Sequence, residues 1–311
     1  MTVFLIIAIA LLILYLVFSA IVAEGLVKSF MLTSGHTEEE TRTTEAENGF
    51  GEALRLYDNV WQKERFSIES NGETLIGDII ENTAPSGNEK VAIVCHGMLA
   101  NRICSLKYAR MLYDLGYSLV IYDHRFYGES TGNNTTLGYM ETKDLLNVIS
   151  FVKEKFGENV RIALQGESMG AVTVLNSLKS FKPYFAAVDC PFSDTIMLMK
   201  QTVKSRFHLP AWPVINILRS QAHSKFGYYP DEVVPFDGVK NASCPILFTH
   251  GKNDSLIPCM HSERMFKVSS NPLSEIHLFD GADHAESIIR HPVEYEKIFK
   301  AFINKVENAS V

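Results

Sequence analysis

The stretch Arg161-Ile162-Ala163-Leu164-Gln165-Gly166-Glu167-Ser168-Met169-Gly170-Ala171-Val172 decides how the rest of the chain is read. Residues 160–164 are short and apolar-rich, as a buried strand requires, and residues 171–178 can continue as a buried helix. Between them, Gly166-Glu167-Ser168-Met169-Gly170 matches Gly-x-Ser-x-Gly. A strand, a one-residue reversal and a helix put Ser168 at the tip of a sharp turn. Side chains at 166 and 170 would collide with the neighbouring strand and helix, and glycine tolerates the angles of a tight turn. With glycine near 7% of residues, three fixed positions match by chance about 0.1 times in a chain of this length. The pentapeptide therefore needs partners, since a glycine-rich turn holding a structural serine would read the same.

A serine hydroxyl is a poor nucleophile until a base takes its proton, and an acid usually orients that base. When the serine sits on a strand-to-helix turn, the chain order is Ser, then Asp or Glu, then His. Both partners follow. Pro245-Ile246-Leu247-Phe248-Thr249-His250-Gly251 reads as a strand, with Asp254 in the loop after it. Ile276-His277-Leu278-Phe279-Asp280 reads as another, with His284 in the loop after it. Reactive groups in open α/β sheets gather at the carboxyl ends of strands. Asp254 could instead be a turn former and His284 a loop histidine. Asp283 competes for the acid role, but neighbouring side chains in a turn rarely face each other. An oxyanion also needs backbone N–H donors. Met169, just after the serine at a helix N-terminus, supplies one. The buried strand Val91-Ala92-Ile93-Val94-Cys95 ends in His96-Gly97-Met98, and Met98 N–H is the second candidate. His96 reads as a structural histidine bracing that loop.

At this point the chain resembles an α/β-hydrolase of the serine esterase, lipase and aminopeptidase type. The resemblance rests on His96-Gly97, Tyr122-Asp123-His124-Arg125-Phe126-Tyr127-Gly128-Glu129-Ser130, the Ser168 turn, Asp254-Ser255-Leu256-Ile257-Pro258 and Asp283-His284. More closely, it is similar to the membrane-anchored bacterial hydrolases of the YqkD-like group, related to monoacylglycerol lipases and feruloyl esterases. The resemblance implies Ser168 as nucleophile, His284 as base and Asp254 as orienter, with Met98 and Met169 donating to the oxyanion. It implies no metal and no cofactor. Phe126-Tyr127 departs from many relatives, where Gly-x follows the arginine, and this bulk is expected to narrow the substrate pocket.

The chain has 311 residues, 46% of them hydrophobic, which suffices for one large α/β domain with an appendage. A net charge of −7 with no basic stripe argues against a nucleic-acid partner. Strands near 64–70, 74–81, 91–95 and 117–122, alternating with helices near 102–115 and 140–156, predict a mostly parallel sheet with helices on both faces. Residues 3–23 carry no charge and are dominated by Leu, Ile, Val, Ala and Phe. About 20 such residues cross a hydrocarbon core of about 30 Å. A cleaved signal peptide would want a basic start and a small-x-small site, so an uncleaved single-pass anchor in the cell membrane is expected. Lys28 and Arg42 lie after the segment and point to the cytoplasmic face, diluted by Glu24 and Glu38-Glu39-Glu40; the side stays open. Five cysteines without disulfide spacing lean the same way.

The expected organisation is an anchor over 1–25, a juxtamembrane section over 26–62, a core over 63–190 and 242–311, and a cap over 191–241. Residues 37–48 read as a solvated linker or short helix, and 53–61 as an amphipathic helix for the domain or the membrane surface. The cap segment is too long for a plain connection. It holds Met197, Met199, Phe207, Trp212 and several aliphatics, so Trp212 joins Phe126 and Tyr127 as a candidate pocket residue for an ester or lipid acyl chain. The expected reaction is ester hydrolysis through an acyl-enzyme. A peptidase or acyltransferase is the alternative, with Glu167 or Asp231 as an acidic subsite, and a non-catalytic binding module is the third reading.

Overall fold

The computed structural model describes residues 1–82 and 90–309. Its strands are β1 (Lys63–Ser70), β2 (Glu73–Ile80), β3 (Lys90–Cys95), β4 (Ser118–Tyr122), β5 (Arg161–Glu167), β6 (Ala186–Asp189), β7 (Ile246–Gly251) and β8 (Glu275–Phe279). Its helices are α1 (Thr2–Met31), α2 (Glu38–Glu45), α3 (Gly51–Asn59), α4 (Leu106–Asp114), α5 (Tyr139–Phe156), α6 (Met169–Ser177), α7 (Thr195–Phe207), α8 (Val214–Phe226), α9 (Pro235–Asn241), α10 (Met260–Phe266), α11 (Ser287–Arg290) and α12 (Pro292–Asn308).

The strands form one eight-stranded sheet in the order β1-β2-β4-β3-β5-β6-β7-β8. β2 runs antiparallel to both neighbours and every other pairing is parallel. Parallel strands are covered on both faces and so read as continuous apolar runs. Alternate residues then feed two cores. Ala92, Val94, Leu119 and Ile121 meet α3, α4 and α12 on one face. Val91, Ile93, Val120 and Leu164 meet α5, α6 and α10 on the other. Truncating a fully buried Phe299 or Phe302 of α12 to alanine would cost about 3–5 kcal/mol.

Helix ends follow their chemistry. Asp194 accepts from Met197 N–H at 2.7 Å and starts α7. Gly157 and Gly227, with φ of 94° and 75°, end α5 and α8.

The N-terminal segment differs from expectation. α1 does not stop near residue 25 but runs to Met31, and Val22, Ala23, Leu26, Val27, Phe30 and Met31 are buried against α7, α8 and Val172 of α6. Residues 38–45 form the short helix α2, which packs on the domain along one face and leaves the other exposed. Thr37 caps α2 with Glu40 in a reciprocal box, and Thr41 and Glu45 are buried on the domain. α3 also packs on the domain, through Ala53, Leu54 and Tyr57.

Candidate active site

Ser168 stands between β5 and α6 with φ 54° and ψ −115°, a left-handed backbone that L-residues hold only where the surroundings impose it. What imposes it is visible at the two glycines. A Cβ on Gly166 would meet the Gly170 carbonyl, and one on Gly170 would meet the backbone of Cys95 and His96. The turn is thereby pressed against the end of β3.

Three strand ends converge there. Ser168 Oγ lies 2.9 Å from His284 Nε2. On the far side of the ring, His284 Nδ1 lies 2.7 Å from Asp254 Oδ2. That contact assigns the proton to Nδ1 and leaves Nε2 as the acceptor for the serine hydroxyl. Burial alone would depress the His284 pKa, but the hydrogen bond and charge of Asp254, helped by Glu167 and Asp189, outweigh it and raise the value.

Asp254, and not Asp283, faces the imidazole. Asp283 accepts from the N–H groups of Ser255 and His284 and ties two loops together. Every acceptor position of Asp254 is used: Oδ1 takes Leu256 and Ile257 N–H at 3.0 and 2.7 Å, and Oδ2 takes His284 and His250. Burial opposes its charge, yet these donors hold its pKa well below the carboxylate range.

Sequence reasoning missed His250. Its Nε2 sits 3.1 Å from Asp254 Oδ2 and 2.7 Å from Ile257 O, while Nδ1 accepts from Ser262 at 2.7 Å. It also missed the ionic cluster under the turn. Glu167, beside the serine, is buried 2.8 Å from Lys107 Nζ and 2.7 Å from the Tyr108 hydroxyl. Lys107 also reaches Glu45 at 3.6 Å, linking α2 to the turn. Only the folded chain juxtaposes these residues.

The His96 loop is where the sequence puts it. A Cβ on Gly97 would stand 3.5 Å from Ser168 Cβ. His96 Nδ1 donates to Gly97 O at 2.7 Å and Nε2 accepts from His124 N–H at 2.9 Å, a bracing role that uses both nitrogens. Among the described residues, neither Met98 nor Met169 N–H has a protein acceptor. Tyr127 is buried with its ring 5.9 Å from His96 and pressed on Gly35, so it props this loop; Phe126 is half-buried beside it. Trp212 is not brought to this cluster. It is 61% exposed and borders a groove with Ile196, Lys200, Ala211, Ile215 and Arg219, none from the loops carrying Ser168, Asp254 or His284. The reason is that α8, which it precedes, packs against α1.

Cys190 lies 4.0 Å from His284 Nε2. Burial pushes its thiol pKa far up, so it is a neutral neighbour and not a rival thiolate. Cys190, Asp254 and His284 bring a thiol, a carboxylate and an imidazole within 4.8 Å. A metal there would have to displace donors that already saturate Asp254.

The prolyl oligopeptidase family profile matches residues 107–309 of this chain. The protein YqkD of Bacillus subtilis is 30% identical over 298 residues, covering 94% of this chain and 96% of YqkD. The chain belongs to the prolyl oligopeptidase family. Its fold is that of the Pyrococcus furiosus esterase Pf2001, with 22% identity, a TM-score of 0.65 and coverage of 80% of this chain and 93% of that one. The acylaminoacyl peptidase of Pyrococcus horikoshii is similar over 82% of this chain and 43% of its own, at 18% identity and a TM-score of 0.60. This member of the family is a serine hydrolase of the α/β-hydrolase fold.

Proposed function

We propose that the chain is a membrane-anchored serine hydrolase that cleaves carboxylic esters through Ser168, His284 and Asp254. The observation that carries this reading is the hydrogen-bonded chain Ser168 Oγ–His284 Nε2 and His284 Nδ1–Asp254 Oδ2, at 2.9 and 2.7 Å. Ser168 Oγ attacks the ester carbonyl carbon as its proton passes to His284 Nε2. Asp254 stabilises the imidazolium, and the Met98 and Met169 N–H groups receive the oxyanion. His284 returns the proton to the departing alkoxide and leaves an acyl-enzyme. Water, deprotonated by the same nitrogen, then releases the acid and restores Ser168.

Residues 191–241 act as a cap over this site, and Phe126 narrows its rim. α1 is long and apolar enough to cross a membrane, and its exposed Val3, Phe4, Leu5, Ile6 and Leu14 suit a lipid surround.

Amide cleavage is the rival, carried by the family match. An aminopeptidase needs an acid free to bind a substrate ammonium. Glu167 is already paired with Lys107, and Asp231 with Arg219 at 2.8 Å. That occupancy favours esters. The test is hydrolysis of p-nitrophenyl esters from acetate to palmitate beside short peptides, with fluorophosphonate labelling. Ester turnover and labelling should both vanish in Ser168→Ala. Ester turnover that survives the substitution would remove the assignment, and peptide turnover alone would install the rival.

A further inference from the structure

α1 and α8 run side by side in the same direction. The Tyr15 hydroxyl donates to the Trp212 carbonyl at 2.7 Å, Glu24 pairs with Lys225 at 2.8 Å, and the Tyr228 hydroxyl lies 3.9 Å from Met31 Sδ. The start of α8 therefore points the way α1 points, toward its apolar N-terminal half.

That geometry conflicts with a cap standing clear of the bilayer. Residues 3–23 are the uncharged run, and Glu24 is the first acid. At 1.5 Å per residue this run is about 30 Å long, one hydrocarbon core. Tyr15 precedes Glu24 by nine residues, so the Trp212 carbonyl stands about 13 Å further along the helix than the Glu24–Lys225 pair. If the cap stayed in water, only residues 2–14 would be left to span, about 20 Å of helix, which is too short.

The residues at the tip match the alternative. No Asp, Glu, Lys or Arg lies between Arg206 and Arg219, and the intervening Phe207-His208-Leu209-Pro210-Ala211-Trp212-Pro213 is mostly apolar. Phe207 is 38% and Trp212 61% exposed. An irregular loop enters a lipid surface only if its polar backbone is looked after. Pro210 and Pro213 have no N–H, His208 and Leu209 both donate to Val203 O, and the Trp212 carbonyl accepts from Tyr15. Lys200, Lys204 and Arg206 flank the tip on α7, where long cations reach back to headgroups.

We propose that the loop over residues 207–213 is a second membrane contact, a wedge that enters the acyl region of the bilayer alongside α1. The partner is the bilayer itself. The wedge rests on the reading of α1 as a membrane span. It fixes the cap edge on the lipid surface and so lets the membrane position the residues covering the site.

The test uses full-length protein reconstituted in phosphatidylcholine–phosphatidylglycerol vesicles, with and without bromine on the acyl chains. Wild type is compared with Trp212→Phe, so that the difference isolates Trp212 from Trp61, the other tryptophan. Flotation reports α1, and fluorescence reports the wedge. Expected are flotation of both proteins, a blue-shifted Trp212 emission, its loss in brominated vesicles, and little quenching by aqueous iodide. Flotation with a Trp212 signal quenched by iodide and not by bromine would overturn the wedge while sparing the anchor. Failure of both proteins to float would overturn the anchor and the wedge with it.

Discussion

His250 Nε2 lies 3.1 Å from Asp254 Oδ2, the oxygen that also receives His284 Nδ1–H at 2.7 Å. One carboxylate oxygen is thus held between two histidines from the same edge of the sheet. Removing the His250 donor would let Asp254 turn and take His284 with it. His250→Ala should lower kcat by about 10–100-fold, the scale of a misplacement near 1 Å, with KM little changed. Steady-state kinetics on an activated ester, with circular dichroism to confirm folding, tests this; an unchanged kcat would make His250 a packing residue only.

The pH profile follows from the sign of the His284 shift. Burial opposes protonation, but Asp254 prevails and the pKa is raised. Only the neutral imidazole accepts the serine proton, so the active form is lost as pH falls through that raised value. kcat/KM should climb to a plateau with an apparent pKa above the ordinary histidine value of about 6.5. In Asp254→Asn burial is opposed only by the more weakly acting Glu167 and Asp189, so the limb should move to lower pH while the plateau drops by about 10⁴. A limb that stays in place would mean another group sets it.

Lys107, Glu167 and Glu45 form a buried cluster with one cation and two acids. Burial pushes the Glu45 carboxyl up, while Lys107 overcomes burial at Glu167 and pulls that carboxyl down. Of the two acids, Glu167 is therefore the one whose charge the cluster favours. Lys107→Met strands its charge and should cost about 3–5 kcal/mol, read as a lower denaturant midpoint. Adding Glu167→Gln should restore part of that loss. Glu45→Gln alone should cost less than Lys107→Met, because the Glu45 charge is already disfavoured.

The sheet, its order of strands and helices, and the loops bearing Ser168, Asp254 and His284 are legible in the sequence because each is written locally. Parallel strands read as apolar runs, and turn residues follow them at once. His250 is not legible, since it sits within a strand pattern and gains meaning only when the 254–257 loop folds back on it. Lys107 and Glu45 look like surface charges on helices, because sequence does not tell which face a lone charge occupies. α1 defeats the reading for a different reason. Lipid and a Met- and Leu-rich cap select the same side chains, so Val22, Leu26 and Phe30 give no sign that protein covers them. Trp212 reads as a pocket residue on apolarity alone, and the same apolarity serves its exposed position beside α1.

Gly170 and Gly97 offer a paired test of the turn. A Cβ at 170 would drive into the carbonyls of Cys95 and His96, which are backbone and held by the β3 pairings. Gly170→Ala must therefore displace the turn or the strand, and should cost about 1–3 kcal/mol with loss of ester turnover. A Cβ at 97 meets only ordinary contacts, 3.4 Å from Glu167 Oε1 and 3.5 Å from Ser168 Cβ. Gly97→Ala should fold with a melting temperature near wild type. Its methyl would nevertheless stand beside the serine, where a substrate carbonyl must approach Met98 N–H, so kcat/KM should fall. Thermal melts and ester kinetics on the two variants separate the cases: a stable, active Gly170→Ala would contradict the close approach of the turn to β3.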